Sequence, residues 1–358
     1  MKAVMYYGQN DVRVEDIAEP APPAAGEVRI EVAWAGICGS DLHLFHNGPS
    51  YPTTPTADQP QPRTGETLPV VLGHEFAGTV TALGEGVTSL SVGDAVAVKA
   101  NVPCGSCAAC RAGLSNICRN SRGFGLSGGG GGLSEFVTVP EANAFPVGDL
   151  PLDQAAMIEP LAVSTHGVRR SGAAAGDVAL VGGAGPIGVL TAAALKAKGV
   201  HVIISEPNPA RRRAALDNGA AHRAVDPMTE DLQAVVAEAT NGDGVDVAFD
   251  CAGVVPVTHD LIAAIRPGGH LQIIAIPSKP LDLDVQNEMH LTEITYAGMF
   301  GYLDEDYRDA IAMANGGGLN LAPFISTRIT PEEIVEKGFS VLLDRENTAV
   351  KILVDPHA

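Results

Sequence analysis

The stretch from Val178 to Glu206 leaves this chain few ways to fold. Val178-Ala179-Leu180-Val181 is an apolar run such as a strand buried on both faces requires. Gly182-Gly183-Ala184-Gly185-Pro186-Ile187-Gly188 follows, then a run to Gly199 and a second apolar segment, Val200-His201-Val202-Ile203-Ile204-Ser205, ending on Glu206. Gly183, Gly185 and Gly188 make G-x-G-x-x-G where a strand turns into a helix. Gly183 permits the tight turn, Gly185 lets backbone approach a pyrophosphate, and Gly188 allows the helix to lie close on the strand. Pro186 and Ile187 open the helix, where a missing proline N–H costs nothing. The free amides and dipole of that terminus make an anion site. Glu206 stands where an acid accepts hydrogen bonds from adenosine ribose hydroxyls, and its charge repels a 2′-phosphate. The segment therefore predicts a Rossmann, doubly wound parallel sheet binding a nicotinamide dinucleotide, NAD rather than NADP. Arg211, with Arg212 and Arg213, lies just beyond and is a further candidate for the cofactor site, although a solvated helix face explains these arginines more simply.

A chain of 358 residues predicts about two domains. No apolar run approaches the roughly 18 residues of a membrane span. The start, Met1-Lys2-Ala3-Val4-Met5-Tyr6-Tyr7, passes into polar residues without the apolar core of a signal peptide, so a soluble, cytoplasmic protein is expected. The formal charge of −19, from 42 acidic against 23 basic residues, disfavours nucleic acid and anionic membrane as partners.

Residues 1 to about 150 read as mostly β. Val28, Ile30, Val32 and Trp34 alternate with Glu27, Arg29 and Glu31, and short β-like runs recur at 79–81, 95–98 and 136–139. From about 160 to 299 strands alternate with helices, with apolar strands at 245–249 and 271–276 and a helix at 229–239. The sequence thus predicts an α/β chain with a β-rich domain over 1–159 and 300–358 and a dinucleotide domain over 160–299. Residues 47–68 hold five prolines and predict an extended loop, either a surface loop or a lid. Gly128 to Gly132 is a run of five glycines, free unless packed.

Cys104, Cys107, Cys110 and Cys118 form C-x₂-C-x₂-C-x₇-C, a spacing that closes a tetrahedron of thiolates around structural Zn²⁺. An iron–sulfur cluster and incidental thiols are the alternatives. A second constellation is scattered. Gly36-Ile37-Cys38-Gly39-Ser40-Asp41-Leu42-His43 supplies a thiol, a hydroxyl, a carboxylate and an imidazole. His74 and Glu75 interrupt one apolar run and Glu159 another. A carboxylate in apolar surroundings is costly unless paired or bound to a metal.

With GICGSDLH at 36–43, GHEFAG at 73–78, the four-cysteine loop, EPLAV at 159–163 and GGAGPIG at 182–188, the chain resembles the zinc-dependent medium-chain alcohol dehydrogenases from end to end. Glu159, where ordinary alcohol dehydrogenases carry cysteine, and the segments at 62–66, 125–133 and 351–354 look most similar to the (R,R)-2,3-butanediol dehydrogenase branch. The resemblance implies a GroES-like β-rich catalytic domain beside the Rossmann domain, NAD and two zinc ions as cofactors, and a homodimer or homotetramer. It implies a small diol or ketone substrate, 2,3-butanediol and acetoin first, with a sorbitol or threonine dehydrogenase and a non-catalytic nucleotide-binding protein as alternatives. Cys38, His74 and Glu159 would hold a catalytic zinc, with Glu75 competing for the carboxylate position. Asp41 would take the other ring nitrogen of His74. Ser40 and His43 would relay the alcohol proton, while His166 and Cys251 are left as structural.

Overall fold

The computed structural model describes residues 1–49, 54–277, 279–344 and 347–358. They fold into two compact units, Met1–Glu159 with Asn320–Ala358, and Pro160–Leu319.

Among the described residues the first unit is built on a seven-stranded sheet. Its central strand, Glu27–Gly36, carries the alternation read from the sequence, with Val28, Ile30 and Val32 fully buried. Glu75–Leu83 and Phe136–Pro140 pair antiparallel with it, and so does Lys351–Val354 from the end of the chain, Leu353 opposite Gly36. Ala95–Val98, Ala144–Pro146 and Ile325–Ile329 complete the sheet. A smaller sheet joins Lys2–Gly8 to Asp11–Asp16 and to Val70–Val71, just ahead of His74. The inner faces share one apolar core that includes Tyr6, Ile30, Phe76, Phe124 and Phe339.

Among the described residues the second unit holds a six-stranded sheet in the order Arg223–Val225, His201–Ser205, Val178–Gly182, Val245–Asp250, Ile265–Ile273, Thr295–Gly298. Every pairing in it is parallel. The strands are buried on both faces, as runs such as Val178 to Val181 require. The anticipated helix at 229–239 is observed as Leu232–Thr240, because Asp231 accepts the N–H groups of Gln233 and Ala234 and so caps it there. Asn241, at φ 54°, ends it. The strand anticipated over 271–276 stops at Ile273, in the strand Ile265–Ile273. No helix among the described residues is long and apolar enough to cross a membrane.

Two expectations need correction. The chain returns to the first unit at Asn320, not at 300. The helix Asp304–Asn315 belongs to the second unit, where the buried Asp306 carboxylate takes His166 Nδ1 at 2.8 Å and Arg169 at 2.8 Å. The five-glycine run is not a free loop. Gly128, Gly129 and Gly130 take positive φ, and the amides of Gly132 and Leu133 donate to the carbonyls of Gly73 and Leu72. A Cβ on Gly131 would come within 2.3 Å of the Leu72 carbonyl, and one on Gly132 within 2.4 Å of Phe76. The glycines let one backbone lie directly against the segment that carries His74.

The proline-rich loop lies partly outside the described residues, at 50–53. Its described part is tied down. Gln61 donates to the Ser121 carbonyl at 3.2 Å, Arg63 to the Val102 carbonyl at 2.6 Å, and Glu66 accepts the Gly129 N–H at 2.5 Å.

Gly132→Ala is expected to lower unfolding stability by about 1–3 kcal/mol, the usual cost of forcing atoms into a filled core. Urea denaturation of the variant and its parent checks this; an unchanged midpoint would mean that the contact with Phe76 relaxes freely.

Candidate active site

Cys38 stands where the strand Glu27–Gly36 gives way to the helix Gly39–Asn47, as that helix's N-cap residue. The Asp41 carboxylate folds back to accept the Cys38 N–H at 2.9 Å, which fixes the start of the helix. Asp41 is fully buried, and its other oxygen faces His74 Nδ1 at 3.5 Å. Among the described residues neither that oxygen nor His74 Nδ1 has a hydrogen-bond partner. His74 follows Gly73, whose φ of 93° and contact with Leu133 turn the chain into the strand Glu75–Leu83.

One ligand atom each from Cys38, His74 and Glu75 lies within 4.8 Å of the others. Burial alone would lower the His74 pKa, but the charges of Asp41 and Cys38 beside it raise it well above the ordinary imidazole value. A divalent cation relieves both features. Bound opposite Nδ1, it would leave Nδ1–H as a donor to the orphaned Asp41 oxygen and would neutralise the thiolate. The thiol, imidazole and carboxylate donors suit zinc.

Glu75 has a second partner that sequence reasoning missed. Its two oxygens lie 2.7 and 2.5 Å from Lys351 Nζ, and all three groups are buried. The remaining Lys351 contact is to the Ile37 carbonyl at 3.1 Å. Burial works against the lysine's charge, yet Glu75, Cys38 and Glu159 together hold its pKa above the usual value. The signal was a lone lysine in the apolar run Val350-Lys351-Ile352-Leu353-Val354, where a buried cation demands an anion. Glu159 lies buried in the first turn of the helix Ile158–Ser171, near enough to Lys351 to act on its charge but outside the 4.8 Å group.

Ser40 Oγ is 3.8 Å from Cys38 Sγ. His43 is exposed one turn further along, its Nδ1 paired with Asn47 Nδ2 at 3.1 Å, so Ser40 and His43 share a helix face. His166 is held by Asp306 as a structural pair, and burial pushes the Cys251 thiol up to about 12.

The four cysteines converge as their spacing requires. Sγ–Sγ distances are 3.6 Å for Cys107–Cys110, 3.8 Å for Cys107–Cys118 and 4.0 Å for Cys104–Cys110. A tetrahedron with metal–sulfur bonds of about 2.3 Å has edges of about 3.8 Å. The set therefore fits a single ion and is too tight to surround a multi-iron cluster. Cys107 caps the short helix Ala108–Arg111, and the Cys104 N–H points at Cys118 Sγ at 3.3 Å. The amide and hydroxyl of Ser106 bring Cys104 down to about 6, whereas burial and neighbouring thiols push Cys110 up to about 11.

In the second unit, Gly183 has φ 96° and Gly185 caps the helix Pro186–Ala197, with nothing within 4 Å of where its Cβ would be. A Cβ on Gly188 would lie 2.0 Å from the Gly183 carbonyl, so close helix–strand packing demands glycine there. Glu206 is buried at the end of the neighbouring strand. Its oxygens accept the Ala184 N–H at 2.8 Å and the Asn208 N–H at 2.9 Å, which fixes the carboxylate beside the glycine turn. Arg212 is engaged by Asp226 at 2.9 Å and by the carbonyls of Glu206 and Pro207. Arg211 is half-buried, with its N–H on the Asn208 cap.

Residues 24–149 match the alcohol dehydrogenase GroES-like domain, and residues 186–316 match the zinc-binding dehydrogenase domain. The chain is 44% identical to the (R,R)-butanediol dehydrogenase of Neisseria gonorrhoeae over the whole of both proteins. It superposes on the crystal structure of 2R,3R-butanediol dehydrogenase from Bacillus subtilis with a TM-score of 0.90 at 38% identity, covering 99% of each chain. A Sinorhizobium meliloti protein crystallised with NADP is also similar, at 32% identity and a TM-score of 0.86 over 99% of each chain.

In protein stripped of metal at pH 7, iodoacetamide should modify Cys104 ahead of Cys110 and Cys251. Mass mapping of the labelled sites checks the order, and equal labelling of Cys251 would contradict the environments described above.

Proposed function

This chain belongs to the zinc-dependent medium-chain alcohol dehydrogenases, and on that premise we propose that it interconverts 2,3-butanediol and acetoin with NAD. The observation that carries this reading is the convergence of Cys38 and His74 with the buried carboxylates of Glu75 and Asp41, in a chain similar over its full length to butanediol dehydrogenases.

Cys38, His74 and Glu159 would hold one zinc ion, and the four cysteines a second. When bound, the first zinc supplies Lewis acidity at the alcohol or ketone oxygen, and the nicotinamide carries the hydride. The chain's own residues prepare that chemistry. Asp41 orients His74 and keeps Nδ1 as its protonated nitrogen. Ser40 and His43 would relay the hydroxyl proton of a bound alcohol by way of the cofactor ribose, and the exposure of His43 gives the proton a route to solvent. Asn47 sets the His43 ring by its contact at Nδ1.

The preference for NAD rests on Glu206. The backbone amides of Ala184 and Asn208 hold its carboxylate in place, and each oxygen keeps a lone pair for a ribose hydroxyl. The same charge opposes a 2′-phosphate, and Arg212 is already committed to Asp226. Arg211, half-buried on the same helix with its backbone N–H on the Asn208 side chain, is the further candidate for the cofactor site. As in the family generally, a homodimer or homotetramer is expected.

One experiment tests the whole reading. Initial rates are followed by NADH absorbance for (R,R)-2,3-butanediol, acetoin, sorbitol and L-threonine, with NAD(H) and NADP(H), in the parent and in Glu206→Ser. The diol and acetoin should give the highest kcat/KM, NAD should be preferred, and Glu206→Ser should lose NAD efficiency and gain with NADP. Faster turnover of threonine or sorbitol would reassign the substrate. A parent that favours NADP would remove the role given to Glu206.

A further inference from the structure

Proximity qualifies Glu75 as a metal ligand, since its carboxylate lies with Cys38 and His74 inside a 4.8 Å group. Its bonding does not. Both oxygens face the buried Lys351 ammonium, which draws on the carboxylate's charge as the backbone amides on Glu206 do not, and the third contact of that ammonium is the Ile37 carbonyl. Gly36 makes room for this arrangement, because a Cβ there would come within 2.3 Å of Glu75 Oε2. Resting on the assignment of Cys38, His74 and Glu159 as ligands, we propose that Lys351 is a positioning residue that withholds Glu75 from the metal and so reserves the carboxylate position for Glu159.

The charges support this division. Lys351 and Glu75 cancel within one buried pair. The Cys38 thiolate and the Glu159 carboxylate then supply two negative charges, which match a divalent cation. If Glu75 moved to the metal, Lys351 would be left as a buried cation without a counter-charge, a costly state in a medium of low polarisability. The lysine is therefore a lock on ligand identity. Removing its charge releases a carboxylate that already lies close to Cys38 and His74, and zinc is the nearest cation that can satisfy it.

The test is a rescue read as metal affinity. Zinc retention at the Cys38–His74 site is measured by equilibrium competition with a chelator, the four-cysteine zinc serving as internal reference. The proteins compared are the parent, Glu159→Ala, Lys351→Met and the double variant. Glu159→Ala is expected to weaken zinc binding by about tenfold or more, as the loss of groups around a metal site does. Adding Lys351→Met should restore most of that affinity, and the restoration should vanish when Glu75→Gln is added. Lys351→Gln is the second variant for the same comparison if methionine is not tolerated, and thermal unfolding shows that each protein is folded. A folded double variant that binds zinc no better than Glu159→Ala overturns the proposal alone. Full zinc retention by Glu159→Ala overturns the ligand assignment and the proposal with it.

Discussion

The ion pair between Lys351 and Glu75 is the constraint around which the first unit is arranged. It joins residues 276 positions apart, and both are almost completely buried. Taking two charges out of water costs several kcal/mol per ion before their attraction is counted. Breaking such a pair by removing one partner typically costs about 3–5 kcal/mol. The strand Lys351–Val354 must therefore dock in the register that presents the lysine to Glu75, and that register sets Leu353 opposite Gly36. The end of the chain thus completes the wall of the site formed by Gly36, Ile37 and Cys38.

The rest of the site is held by local devices of the same kind, each with a polar group made to serve twice. Asp41 caps the helix that begins after Cys38 and faces the ring of His74. Glu66 holds a loop by accepting the Gly129 N–H, and the glycine backbone beyond it lies against Leu72, Gly73 and Phe76. In the second unit, Glu206 fixes the glycine turn through Ala184 while it keeps lone pairs for a ligand. Rigidity of this sort lets a site hold its geometry without tight local bonding at every group.

What was legible in the sequence is what is decided locally. Gly183, Gly185 and Gly188 each have a reason within a few residues, and the parallel sheet follows from apolar runs separated by helical ones. Four cysteines on one short loop could be read as a metal site from spacing alone, and their sulfurs do converge on tetrahedral edges. The partner of Lys351 was not legible, because nothing near residue 351 names Glu75. The five glycines invited a reading as free chain, since the surfaces that pack on them, Leu72 and Phe76, lie far back in the sequence. The domain boundary slipped for the same reason: the helix Asp304–Asn315 is held by Asp306 contacts to His166 and Arg169, which no periodicity in residues 300–319 announces.

On the proposed function, two separate donor sets in the first unit would each hold one zinc ion, with Glu75 staying on Lys351. A crystal structure with anomalous data across the zinc edge tests it most directly. One zinc peak is expected among Cys104, Cys107, Cys110 and Cys118, and a second bonded to Cys38, His74 and Glu159 with the Lys351–Glu75 pair intact. A single peak, or a second peak bonded to Glu75 with Lys351 displaced, would contradict it.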